Sequence, residues 1–172
     1  PDFDRLRKFF LGASGIRLAD GKKVLVCGRL AKRLRALGLA SYRAYLDFID
    51  KPEQRAERQL AVDLLTTNET HFFREPRHFE LLREELARRM ARPGRTPVRV
   101  WSAACSTGEE PYSLAMTLAE VMRDRPWSVH ASDLSIRVLD DARAGIYGTQ
   151  RASEVPAPLA FKYLLEGIDW RM

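Results

Sequence analysis

Three stretches hold residues whose types and spacing could do chemistry. The run Ala103-Ala104-Cys105-Ser106-Thr107-Gly108-Glu109-Glu110 follows an apolar segment and precedes one with helical periodicity. Small residues at a strand-to-helix turn let backbone approach a ligand closely, as in open α/β sheets that take nucleotides. Only Gly108 is glycine and no lysine is present, so neither the three-glycine dinucleotide pattern nor a phosphate-binding loop is met. The acids Glu109 and Glu110 argue against a bound polyphosphate and permit a cation; the plainer alternative is a turn whose acids favour a helix N-terminus. Asp133 lies 25 residues beyond Gly108, at the end of a second apolar segment. An acid there can accept hydrogen bonds from ribose hydroxyls, or simply make a turn before a capped helix. The third stretch, Thr66-Thr67-Asn68-Glu69-Thr70-His71-Phe72-Phe73-Arg74-Glu75, leads polar groups into two aromatics and an arginine. Taken bare, turn caps, core aromatics and a surface ion pair account for it. His71, His78 and His130 are scattered and read as structural or solvent-facing. Cys105 has no histidine beside it and reads as a small loop residue, and Cys27 as core.

The elements that must position these groups fall into two patterns. Up to Met90 the chain reads as helices. Phe3, Leu6, Phe9 and Phe10 repeat at helical spacing before Gly12, and Val26, Leu30, Leu34 and Leu37 align on one face of a helix over Lys22 to Leu37. Lys22, Arg29, Lys32, Arg33 and Arg35 lie off that face, with no acid in the segment, and Gly38 sits where a helix stop belongs. Ser41 caps a further helix through Ile49, and Glu53 to Leu65 and Pro76 to Met90 are two more. The Pro- and Gly-containing stretch at 93–97 reads as a linker between a helical domain, 1–92, and a second domain, 98–172. There the pattern becomes strand (from Val98), small-residue loop, helix (Glu110 to Met122), strand (Ser128 to Ser132) and helix (Ile136 to Ala144, closed by Gly145). That order predicts a βαβα unit with a parallel sheet.

Composition narrows the class. The 172 residues are 45% hydrophobic and 30% charged, which excludes a disordered chain. No run of about 18 apolar residues occurs, so no direct membrane insertion is expected. Two cysteines form neither a disulfide framework nor a four-ligand zinc site, so no metal and a reduced, cytoplasmic setting are expected. Residues 1–92 carry 20 Lys and Arg against 13 Asp and Glu, and residues 93–172 carry 9 against 10. The basic front half could attract nucleic acid, an anionic membrane or an acidic protein. Nucleic acid is disfavoured, because neither interleaved aromatics nor the short turn of a helix-turn-helix is evident.

Together, Asn68 to Glu75, Val100 to Ser113 and Ala131 to Asp133 resemble the chemotaxis receptor methyltransferase family (CheR), and Gly28 to Gly38 resembles its basic second helix. The Ser-Thr-Gly-Glu-Glu-Pro-Tyr-Ser run is highly specific, and the likeness extends to about Tyr147. The resemblance implies a small all-helical domain followed by a Rossmann-like α/β domain, and S-adenosylmethionine-dependent methylation of glutamates on the cytoplasmic helical region of chemoreceptors, with S-adenosylhomocysteine as product. It implies cofactor contacts from Asn68, Thr70, Arg74, Ala103, Glu109 and Asp133, with Arg74 the catalytic candidate. It makes Lys22, Arg29, Lys32, Arg33 and Arg35 a face for docking the receptor. The chain opens at Pro1 without a methionine and ends after two clear strands, so a truncated cofactor domain is expected. A non-catalytic docking module that uses the basic helical domain is the alternative.

Overall fold

The computed structural model describes residues 2–92, 94 and 96–167. The expected linker at 93–97 lies partly outside the described residues, as does the end of the expected second domain. Two compact units are present. The first comprises the chain up to Thr67 with Leu134–Arg137, and the second comprises the remainder from Asn68.

The first unit is built from four helices, α1 (Asp2–Ser14), α2 (Lys23–Ala36), α3 (Tyr42–Ile49) and α4 (Arg55–Leu65). Their apolar stripes meet in one core containing Leu6, Phe10, Val26, Leu30, Tyr45, Leu46, Ile49, Ala61 and Leu65. The helix predicted over Lys22 to Leu37 is α2. It stops because Gly38 takes φ +66°, and the Gly38 and Leu39 amides donate back to the carbonyls of Arg35 and Leu34. Ser41 Oγ accepts the Ala44 amide at 3.1 Å and starts α3.

The second unit contains α5 (Pro76–Met90), β1 (Val98–Ala103), α6 (Glu109–Met122), β2 (Trp127–Ser132), α7 (Ile136–Ala144, begun in the first unit), and the short α8 (Thr149–Ala152) and α9 (Ala157–Tyr163). β1 and β2 pair in parallel, from Val98 with Trp127 to Ala103 with Ser132. A parallel pair needs a crossover, and α6 supplies it. Leu118 and Met122 of α6, Val98 of β1 and Leu86 of α5 form the core under this βαβ unit.

That core moves one expected boundary. The sequence places the division at 93–97, yet α5 belongs with the strands, and the units divide between Thr67 and Asn68. The reason is physical: Leu86, with Leu82 and Met90 beside it, is buried against α6 and β1. Helices α8 and α9 have no counterpart in the expected element order. Among the described residues, no helix is long and apolar enough to cross a membrane.

Candidate functional site

The loop between β1 and α6 is shaped by its backbone. Ala104 and Ser106 take φ +67° and +50°, and Gly108 takes +100°. Left-handed conformations at non-glycine residues cost roughly 1–3 kcal/mol each and persist only when neighbours hold them. Here the neighbours are identifiable. The Ser106 amide donates to Asp133 Oδ2 at 2.8 Å, Ser106 Oγ donates to the Asn68 carbonyl at 2.8 Å, and the Cys105 amide donates to the Ser132 carbonyl at 3.0 Å. The Tyr147 hydroxyl donates to the Thr107 carbonyl at 2.8 Å. Burial, with the Glu109 carboxylate nearby, pushes that hydroxyl's pKa far up, so it stays a donor.

The segment from Asn68 to Glu75 forms the opposite wall. Phe73 and Glu75 are also left-handed, at φ +53° and +57°. Phe72 is buried with Met116 and Val155, and the Phe73 amide donates to Ser113 Oγ at 3.0 Å. Arg74 closes the loop on itself by donating from Nη1 to the Glu69 carbonyl at 2.7 Å.

Between the walls lies a cavity of about 260 Å³ lined by Glu69, Thr70, Arg74, Glu75, His78, Phe79, Ala104 and Glu110. Three carboxylates against one arginine make an environment that accepts a cation and repels phosphate, while Arg74 can hold a carboxylate. Ser102 Oγ donates to Glu110 Oε1 at 2.6 Å and orients it. Such a lining fits S-adenosylmethionine, which carries a cationic sulfur, an ammonium and a carboxylate.

Of the residues singled out in the sequence, Thr70 and Arg74 line this cavity, whereas Asn68, Ala103, Glu109 and Asp133 do not. The Asn68 carbonyl and the Asp133 carboxylate brace the β1–α6 loop through Ser106. Glu109 is only 2% exposed, and its carboxylate accepts from Thr107 Oγ1 at 2.6 Å and from Arg151 Nη1 at 3.1 Å. Their neighbours Ala104 and Glu110 face the cavity instead. Helical spacing alone does not separate the two acids: Glu109 shares a face with the buried Ser113 and Met116, and Glu110 shares one with the buried Thr117 and Leu118. His78, read as structural or solvent-facing, is one of the cavity's lining residues. Cys105 is 1% exposed and burial raises its thiol pKa, so it is poorly suited to nucleophilic work. Among the described residues, no cluster of His, Cys, Asp or Glu could hold a metal ion.

In the first unit the structure splits the expected basic face. Lys22, Lys32 and Arg35 are exposed. Arg29 donates to the carbonyls of Leu64, Leu65 and Thr66 at 3.4, 3.1 and 3.0 Å, satisfying the end of α4. Arg33 holds Glu57 through Nε and Nη2 at 3.0 and 2.6 Å, and the Tyr45 hydroxyl donates to the same carboxylate at 2.9 Å. The neutralising acid absent from α2 thus comes from α4.

Residues 68–170 match the family described as CheR methyltransferase, SAM binding domain, and residues 1–66 match CheR methyltransferase, all-alpha domain. The chain is 47% identical to Chemotaxis protein methyltransferase 2 of Pseudomonas aeruginosa, over 96% of this chain and 59% of that protein. It is 42% identical to Chemotaxis protein methyltransferase of Escherichia coli, over 96% of this chain and 57% of the relative. For the protein of the same description from Borreliella burgdorferi the identity is 36%, over 95% and 60%. The chain thus spans about three fifths of the length of these curated relatives.

Proposed function

Because the chain belongs to the CheR methyltransferase family, we propose that it forms the helical domain and part of the cofactor domain of an enzyme that methylates glutamate side chains on the helical region of chemoreceptors. The observation that carries this reading is the acid-lined cavity with Arg74 at its wall. Thr70, Arg74, Ala104 and Glu110 would hold S-adenosylmethionine, with Asn68 and Asp133 bracing the loops behind them. Bound there, S-adenosylmethionine supplies an electrophilic methyl group on a cationic sulfur and leaves as S-adenosylhomocysteine.

A glutamate substrate needs no general base, since its carboxyl group is already ionised near neutral pH. The protein's task is to strip water from that carboxylate and to align it. Arg74 suits the second part, because a guanidinium can grip a carboxylate through two parallel hydrogen bonds. The half-buried Phe73, packed on the buried Phe79 with ring centroids 5.1 Å apart, gives this wall an apolar backing. The exposed cations Lys22, Lys32 and Arg35 suit an acidic helical partner, whose approach they would steer. The two free cysteines fit a reducing, cytoplasmic setting.

The test is a transfer assay with methyl-labelled cofactor and a soluble receptor fragment, using the full-length polypeptide that contains these residues. Label that alkali releases as methanol identifies a carboxylate ester; label that survives alkali excludes glutamate as acceptor. Cofactor binding without any transfer would favour the docking-module reading instead.

A further inference from the structure

We propose that Arg151, assisted by Glu154, is a positioning residue that ties the two walls of the cavity together; this rests on reading the cavity as the cofactor site. Arg151 Nη1 donates to the Thr70 carbonyl and also to Glu109 Oε1, the latter at 3.1 Å. Thr70 belongs to one wall, and Glu109 directly precedes Glu110 of the other. One guanidinium nitrogen therefore spans both. Three residues on, Glu154 Oε2 accepts the Phe72 amide at 3.1 Å. The segment 151–154 thus grips the Asn68–Glu75 loop at two points, either side of His71.

The energetics favour a device over an incidental contact. The Glu109 side chain is 2% exposed and that of Arg151 is 46% exposed. The arginine reaches in from the surface to a carboxylate that has lost its water. A buried charge whose partner is removed is strongly destabilised, so without Arg151 the Glu109 carboxylate is driven to turn outward toward water. That rotation disturbs the first turn of α6, from which Glu110 projects. The same change frees the Thr70 carbonyl, and with it the loop that carries Arg74. Neither Arg151 nor Glu154 lines the cavity, so they act on the cofactor only through these groups.

The test uses the full-length polypeptide with Arg151→Met, Arg151→Lys and Glu154→Ala, and with Lys162→Met as a control. Lys162 pairs with Glu120 at 2.6 Å and is not among the residues that line the cavity. Two quantities are read well below each melting temperature: S-adenosylhomocysteine affinity by calorimetry, and hydrogen exchange of the amides from Thr70 to Arg74. Arg151→Met is expected to weaken binding roughly tenfold to a hundredfold, the scale of a small misplacement, and to speed exchange in the loop. Arg151→Lys recovers most of the affinity, because an ammonium can serve the same acceptors. Lys162→Met leaves affinity and loop exchange unchanged. If Arg151→Met does not fold, Glu154→Ala decides, since it cuts a tie without stranding a buried charge; it is expected to speed exchange at Phe72 and weaken binding. Parent-like affinity in folded Arg151→Met, or in Glu154→Ala where the former does not fold, overturns the positioning role and leaves the cofactor reading standing. A folded parent that does not bind S-adenosylhomocysteine overturns both.

Discussion

Gly108 and Tyr147 compete for one volume: a β-carbon on Gly108 would lie 2.7 Å from the Tyr147 hydroxyl oxygen and 3.0 Å from the Ala142 backbone. Gly108 also takes φ +100°. Two independent constraints therefore exclude a side chain where the β1–α6 loop turns into α6. Gly108→Ala should destabilise the protein by at least about 2 kcal/mol, combining backbone strain with overpacking. In Tyr147→Phe the hydroxyl contact disappears while the Ala142 contact stays, so the double variant should fall short of additivity. Denaturant unfolding of the three variants measures this.

Alkaline stability should follow the buried phenols. Burial first, then the Glu57 carboxylate that its hydroxyl contacts, pushes the Tyr45 pKa far up; burial and then the Glu109 charge do the same for Tyr147. A raised pKa on an acid means the folded state keeps the proton longer than the unfolded chain. The resulting stability is full below the unfolded value of about 10 and is lost as pH rises beyond it. Phenolate absorbance should therefore show these two tyrosines titrating only together with loss of helical circular dichroism. Ionisation of all tyrosines in a still-folded protein would contradict this.

Adjacent glutamates should behave oppositely. Glu110→Gln should weaken S-adenosylhomocysteine binding and leave the melting temperature within a few degrees, because Glu110 is exposed at the cavity. Glu109→Gln should lower the melting temperature, because it removes a buried partner of Arg151. Thermal melts beside calorimetry separate the two, and the reverse pattern would restore Glu109 as the cofactor ligand.

Arg74→Ala should also melt near the parent, since Arg74 is exposed and donates to the Glu69 carbonyl at the surface. Methyl transfer should fall by at least roughly tenfold, about 1.4 kcal/mol in the barrier. Normal turnover in this variant would reduce Arg74 to a loop brace.

The basic helix contains two classes of cation, and substitution should sort them. Lys32→Ala with Arg35→Ala should slow receptor association and flatten its salt dependence, with little change in stability. Arg33→Ala should cost about 1–3 kcal/mol in stability, because Glu57 loses a bidentate partner. Association rates at two ionic strengths, beside unfolding curves, test both halves.

Where the sequence was legible, a local rule decided the outcome. Gly38 and Ser41 set the ends of α2 and α3 through their own backbone or side chain, and the change from helical to strand patterning at Val98 gave β1. The rule failed where partners were distant in the chain. Nothing local marks Pro76–Met90 as a companion of β1 and α6; only the burial of Leu86 does. The division at 93–97 was therefore set too late. Arg33 looked free because its acid lies 24 residues away on α4. Helix α8 is four residues long, too short to leave a periodic pattern, and its connection to the site runs through contacts such as the one between Arg151 and Glu109, 42 residues apart. Thr70 and Arg74 were placed at the site by resemblance. The choice between Glu109 and Glu110 was not legible, because both share a helix face with buried residues of α6, and only the partners Thr107 and Arg151 mark Glu109 as the inward one.

Phe73, Glu75, Ala104 and Ser106 hold left-handed backbone in the two walls of the cavity. At such positions the ordinary idea of a conservative exchange inverts. Swapping Ala104 for serine or valine retains or worsens the torsional penalty, whereas glycine, and to a lesser extent asparagine, would relieve it. A saturation library over these four codons should thus be enriched for glycine among clones that keep their fold. The β-branched residues that sheet-side positions usually tolerate should be the first depleted. In that sense the specificity of this pocket is recorded in torsion angles as much as in side-chain identity, and substitution tolerance is the measurement that reads it out.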